Sequence, residues 1–239
     1  DCERTVNAMH ACLLKVPWSG SGKGLNWCLH GFTKPVSNWC ERVLREQGGL
    51  TAEPIYNKVK DFALEFYSDG QGEVRFAGYS VFSTNEHGAY TGNLLASDGQ
   101  IEESIACCLS LEKLTGIREA LRAELASIYG NTYTGYLGVD MMVCRSDKEN
   151  GYRVHPCVEI NMRMNMGVVA RLFYDRFVAP GSKGCFAVEY VPDNETLRAR
   201  HEQDMHDYPL TVEQGRLASG YLPLVPVTGK SCYRAYVRI

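Results

Sequence analysis

The sequence predicts an α+β fold, and two observations carry that prediction. Asp61 to Tyr67 and Glu73 to Ser83 are apolar-rich runs parted by Ser68-Asp69-Gly70-Gln71-Gly72, the signal of an antiparallel hairpin. Between such strand pairs lie stretches of helical spacing, notably Ser37 to Gln47 and Gln100 to Tyr129. Hairpins and helices in separate runs argue against strict βαβ alternation. With 239 residues, 45% of them hydrophobic, the chain can build one domain or two lobes sharing a cleft.

Taken in order, Ala11-Cys12-Leu13-Leu14-Lys15-Val16 is a short apolar run ending in a turn, and reads as a strand with Lys15 near its end. Trp18 to Gly24 is a glycine-rich loop, and Leu25 to Leu29 resumes a strand. Trp39, Val43 and Leu44 recur at helical spacing, with Ser37 or Asn38 as N-cap and Gly48-Gly49 as the stop. Leu50 to Tyr56 reads as a strand, and the hairpin follows. Gln100 to Tyr129 is rich in helix formers, with a break expected at Thr115-Gly116. Thr132 to Arg145 and Tyr152 to Asn161 read as strands joined by the polar turn from Ser146 to Gly151. Val168 to Val178 reads as a helix, Cys185 to Val191 as a strand, and Asn194 to His206 as a polar helix before two late strands.

Composition excludes several classes. The formal net charge is −3, so no basic stripe suggests nucleic acid. No apolar run reaches membrane-spanning length, and no signal-peptide pattern is present. The ten cysteines are scattered without a CxxC pair, which points to free thiols packed as small hydrophobes in a reducing cytoplasm. Cys107-Cys108 is expected on the apolar side of a helix. His155, beside a proline at a strand end, is expected to be structural, and His201 and His206, five apart on a polar helix, to be solvated. There is no initiator methionine, which suggests a piece of a longer protein.

The chemistry-bearing stretch is Cys157-Val158-Glu159-Ile160-Asn161-Met162-Arg163-Met164-Asn165-Met166-Gly167. Residues two apart on a strand share a face, so Glu159, Asn161 and Arg163 would aim a carboxylate, an amide oxygen and a guanidinium at one space. Oxygen ligands of that kind suit magnesium, and a guanidinium suits phosphate or acyl phosphate. A strand with a polar outer face has the same pattern. The loop from Ser19 to Gly24 could cradle phosphate through its backbone N–H groups. Pro17 and Gly24 stand where a Walker loop needs Gly and Ser or Thr, and a strand follows where a Rossmann turn needs a helix. A flexible hairpin loop and a flap over nucleotide phosphates remain.

Lys15-Val16-Pro17, the loop at Ser19 to Gly24, Glu53, Gly138-Val139-Asp140 and Glu159-Ile160-Asn161-Met162-Arg163, in that order, resemble the motifs of the ATP-grasp superfamily over roughly residues 10 to 180. The resemblance implies two α+β lobes with antiparallel sheets clasping ATP: residues 1–56 as the small lobe, 57–180 as the large lobe and 181–239 as a C-terminal extension. It implies that Lys15 contacts the α- and β-phosphates, and that Ser21, Gly22 and Lys23 cover the β- and γ-phosphates through their amides. Glu53 to Ile55 would be the hinge that pairs with adenine, and Lys58 or Asp61 would approach the ribose. Asp140, Glu159 and Asn161 would hold Mg2+, and Arg163 would stabilise the transferring phosphoryl group or a bound carboxylate.

The activity so implied is ATP- and Mg-dependent ligation of a small-molecule carboxylate to an amine through an acyl phosphate. A kinase acting on a hydroxyl, or a nucleotide-binding module without turnover, are the alternatives. Members of the superfamily usually carry a Rossmann-like domain, and often a second phosphate-binding lysine, before the two lobes. An upstream domain of the same protein is therefore an expected partner.

Overall fold

The computed structural model describes residues 1–19, 24–86, 88–146 and 151–239. By internal contacts the chain forms two compact units, one of residues 1–57 and 84–90, the other of residues 58–83 and 91–239.

The first unit holds α1 (Cys2–Met9), β1 (Cys12–Lys15), β2 (Leu25–Cys28), α2 (Lys34–Gln47) and β3 (Thr51–Pro54). Its sheet is antiparallel in the order β2-β1-β3, with Cys12 opposite Cys28 and Leu13 opposite Glu53. Alternation along β1 turns Cys12 and Leu14 inward onto Val6 of α1 and Val36 and Cys40 of α2. The expected helix begins a turn earlier than the sequence suggested. Thr33 is the N-cap, without a side-chain bond, and Pro35 occupies the first turn, where its locked φ suits a helix and its missing N–H costs nothing. Gly48 ends the helix at φ 76°, its N–H donating to the Leu44 carbonyl. α1 was not expected from the sequence; it is a short polar helix anchored by buried Val6.

The second unit contains β4 (Lys58–Asp69), β5 (Val74–Thr84), β6 (Tyr90–Leu95), α3 (Asp98–Ala106), α4 (Leu111–Tyr129), β7 (Thr134–Arg145), β8 (Tyr152–Asn161), α5 (Met166–Phe177), β9 (Gly184–Tyr190), α6 (Asn194–Asp207), β10 (Thr211–Glu213), β11 (Arg216–Ser219), β12 (Tyr221–Pro223) and β13 (Tyr233–Arg238). Eight strands form one sheet in the order β12-β13-β9-β6-β5-β4-β7-β8. The hairpin expected around Gly70 is present. The Asp69 carboxylate accepts from the N–H groups of Gln71 (2.7 Å) and Glu73 (3.1 Å), and Gly70 and Gly72 adopt positive φ.

Phe62, Leu64 and Phe66 of β4 and Leu137, Val139, Met141 and Val143 of β7 point to one face, where α3 and α4 cover them. The intervening residues of β4 and β7 point to the other face, against part of which α5 packs. Antiparallel sheets of three, eight and, at β10–β11, two strands, together with helices, make the predicted α+β class. The expected C-terminal extension, 181–239, is woven into the large sheet, because β9, β12 and β13 supply three of its strands.

Three local expectations change. The helical stretch breaks at Cys107 to Ser110, where the Ser110 hydroxyl caps α4 by accepting from the Lys113 N–H at 3.4 Å. Gly116 sits inside α4, where surrounding helix formers absorb its cost of about 1 kcal/mol. Cys107 is exposed just beyond α3, and Cys108 packs against the main core. His201 Nδ1 lies 2.9 Å from the Tyr221 hydroxyl in partly buried surroundings, whereas His206 is exposed beside Asp207. The turn expected at Ser146 to Gly151 lies outside the described residues at Asp147 to Asn150.

Candidate functional site

Strand register assembles the site. In the second unit Asp140 lies opposite Glu159 across the β7–β8 pair and opposite Ala63 across the β4–β7 pair. Directly opposed residues of antiparallel strands share a face, with Cβ atoms roughly 4.5–5.5 Å apart. Asp61, Glu65, Asp140 and Glu159 therefore share one face of the sheet with Asn161, which stands opposite Gly138. The expected Asp140, Glu159, Asn161 and Arg163 set is brought together.

The hydrogen bonds run in a chain. Arg163 Nη2 donates to Asn161 Oδ1 at 2.9 Å, and Asn161 Nδ2 donates to Asp140 Oδ2 at 3.0 Å. Both ends of the Asn161 amide are thus engaged, and its oxygen keeps a second lone pair. Asp61, expected near the ribose, has Lys58 Nζ on its Oδ2 at 2.5 Å, and its charge acts on Asp140. Behind this layer sits Glu65, only 1% exposed, which sequence reasoning missed. Ser80 Oγ donates to its Oε1 at 3.0 Å, and Asn165 Nδ2 to its Oε2 at 2.9 Å. The one sequence signal for Glu65 was its place in the Asp61–Ala63–Glu65 alternation.

Burial pushes the Asp140 carboxyl up from 3.8 to about 7, and the neighbouring Glu159 charge adds to the effect. The Asn161 hydrogen bond opposes it, Asp61 pushes it further up, and Arg163 pulls it down. Burial likewise lifts Glu65 from 4.5 to about 7, against the hydrogen bonds from Asn165 and Ser80. Two opposed carboxyls that resist joint ionisation, beside an amide oxygen, form a donor set that a divalent cation would relieve. Among the described residues no three His, Cys, Asp or Glu side chains are gathered to hold a metal ion, so any cation here rests on two carboxylates and the amide. Magnesium keeps several waters and needs only one or two carboxylates, so that set fits it.

In the first unit, Lys15 Nζ lies 2.6 Å from Glu53 Oε2, diagonally across the β1–β3 pair. Glu53 lies on β3, an outer strand in the order β2-β1-β3, so one backbone edge faces away from the sheet. Ile55 follows the end of β3, and the first unit gives way to the second at Asn57. The expected flap residues Ser21, Gly22 and Lys23 lie outside the described residues.

No protein-family model matches the sequence, and no curated protein matches it. Solved structures do match the fold. The biotin carboxylase domain of Hydrogenobacter thermophilus 2-oxoglutarate carboxylase, in complex with MgADP, ADP and bicarbonate, is 13% identical with a TM-score of 0.55, over 99% of this chain and 55% of its own. N5-carboxyaminoimidazole synthetase from Staphylococcus aureus, complexed with ADP, is 12% identical with a TM-score of 0.55, over 98% and 60%. Carboxyaminoimidazole ribonucleotide synthase from Aspergillus clavatus, complexed with ATP, is 12% identical with a TM-score of 0.55, over 99% and 60%. The chain thus spans a little over half the length of these structures.

Proposed function

We propose that this chain, which has the ATP-grasp fold, binds ATP with Mg2+ and serves a ligase that activates a small carboxylate for attack by an amine. The observation that carries the proposal is the wall in which strand register sets Asp140, Glu159 and Asn161 side by side and Arg163 hydrogen-bonds to Asn161, a donor set suited to a metal ion and phosphate. Complexes of the structural neighbours with ADP, MgADP and ATP support the reading. Their partial coverage supports a further, upstream domain.

Phosphoryl transfer asks a protein mainly to position groups and to neutralise charge. Mg2+, held by Asp140, Glu159 and Asn161, would supply charge neutralisation on the phosphates. Arg163 presents a guanidinium fork to a phosphoryl or carboxylate oxygen, oriented by its bond to Asn161. Lys15 and the amides of Ser21, Gly22 and Lys23 would hold the phosphate chain, with Glu53 to Ile55 meeting the adenine edge and Asp61 at the ribose side. A substrate carboxylate oxygen would take the γ-phosphoryl group as the bond to ADP breaks, and an amine nitrogen would then displace phosphate from the acyl carbon. All ten thiols are free, which supports a reducing compartment such as the cytoplasm, and no helix among the described residues is long and apolar enough to cross a membrane.

Calorimetric titration with ATP, with and without Mg2+, tests the nucleotide and metal roles. The wild type should bind more tightly with Mg2+, and Glu159→Ala should lose that gain; unchanged affinity would remove Glu159 from the metal site. Release of ADP only with acid and amine together is expected of the whole protein. Release with an alcohol and no amine would favour the kinase reading.

A further inference from the structure

Arg163 lies in a short crossing between β8 and α5 whose own side chains hold it weakly. Met162 and Met164 are 40% and 54% exposed, whereas the asparagines at either end, Asn161 and Asn165, are 8% and 6% exposed. The position of Arg163 is therefore set by how the two asparagines are anchored. Asn161 is held by Asp140. Asn165 is held twice: its Oδ1 accepts from the Val168 N–H at 2.9 Å, capping α5, and its Nδ2 donates to Glu65.

The packing around Glu65 is built for that bond. A Cβ on Gly138 would come within 1.9 Å of Asn165 Nδ2 and 2.6 Å of Glu65 Oε2. A Cβ on Gly167 would come within 2.1 Å of Glu65 Oε1 and 2.4 Å of Ser80 Oγ. Glycines on two separate elements thus leave room for one carboxylate joining β4, β5 and the start of α5. Ser80 is 3% exposed and completes the arrangement. A buried carboxylate is costly to keep, and a plain core would dispense with it.

We propose that Glu65, acting through Asn165, is a positioning residue that sets Arg163 and Asn161 for magnesium–nucleotide binding. The inference rests on the metal and nucleotide reading given above. Outer partners of a metal site commonly contribute about 10- to 100-fold in affinity without touching the ion.

The test compares ATP affinity with and without Mg2+ in the wild type, Glu65→Ala, Glu65→Gln and Asn165→Ser, with folding checked by circular dichroism. Glutamine keeps an acceptor for Asn165 and can donate to Ser80. Serine keeps the helix cap but cannot span to Glu65. Expected is a loss of about tenfold in MgATP affinity for Glu65→Ala and Asn165→Ser, with Mg-free ATP affinity unchanged and Glu65→Gln within about twofold of wild type. A merely structural Glu65 would lower thermal stability and leave the magnesium gain intact; that result in folded Glu65→Ala and Asn165→Ser overturns the proposal. If Glu65→Ala does not fold, Asn165→Ser and Glu65→Gln decide. If the wild type itself shows no magnesium gain, or Glu159→Ala retains it, the metal reading fails and takes this proposal with it.

Discussion

Replacing Asp140 by asparagine is expected to stabilise the ligand-free protein at alkaline pH while ending magnesium-dependent nucleotide binding. The Asp140 carboxyl stands at about 7 instead of 3.8, first because it is buried and second because Glu159 faces it. A displacement of that size corresponds to roughly 4 kcal/mol at about 1.4 kcal/mol per pH unit. The unfolded chain loses this proton near pH 4 and the folded chain near pH 7. Between those values the folded state holds the extra proton, so stability falls as pH rises and stays reduced above about pH 7. Interaction with neighbouring acids and relaxation around the charge reduce the recoverable part to about 2 kcal/mol. Asparagine removes that charge and keeps an oxygen for Asn161 Nδ2, while its own amide faces Glu159. A gain of about 2 kcal/mol raises the melting temperature of a unit this size by about 4–8 °C. Urea unfolding in EDTA, from about pH 4 to about pH 8, should show wild type and variant converging in acid and diverging in base. A variant no more stable than wild type at about pH 8, or a difference that does not change with pH, would refute the reasoning.

Gly138→Ala should cost about 1–3 kcal/mol in urea unfolding, because its methyl group must displace Asn165 or Glu65; an unchanged midpoint would contradict the packing. Gly116→Ala should raise stability by about 0.5–1 kcal/mol, since the glycine lies within α4 with open space at its Cβ position. A loss of helicity or stability there would mean that α4 needs the glycine.

The site was legible where its chemistry is local. Glu159 and Asn161 alternate on one strand, and period-two reading assigns them a common face without knowledge of the rest of the chain, whereas Asp140 on the neighbouring strand was reached only through the resemblance, because its place opposite Glu159 is fixed by the β7–β8 register. Glu65 was not legible, because its burial is created by α5, which begins about 100 residues later and brings Asn165 with it. The break before α4 was misplaced because glycine is a louder signal than a capping serine, yet Ser110 sets the boundary and Gly116 is tolerated. β6 escaped notice because Gly92 and Asn93 interrupt its pattern. A Cβ on Gly92 would lie 2.4 Å from the Phe186 carbonyl oxygen, so the glycine marks close approach of β9 and not a turn.

β8, which carries Glu159 and Asn161, is one of the two outermost strands in its sheet order. An outer strand is a template on which a second chain can build, and exposed Tyr152 and Ile160 would add adhesion to that edge. Pro156 offers no N–H to an incoming strand, and it sits where the β7–β8 register is irregular between Asp140 and Met142. The strand that bears Glu159 and Asn161 is thereby made a poor seed for aggregation. Efforts to straighten or regularise it for stability would risk opening that edge to pairing with a second chain.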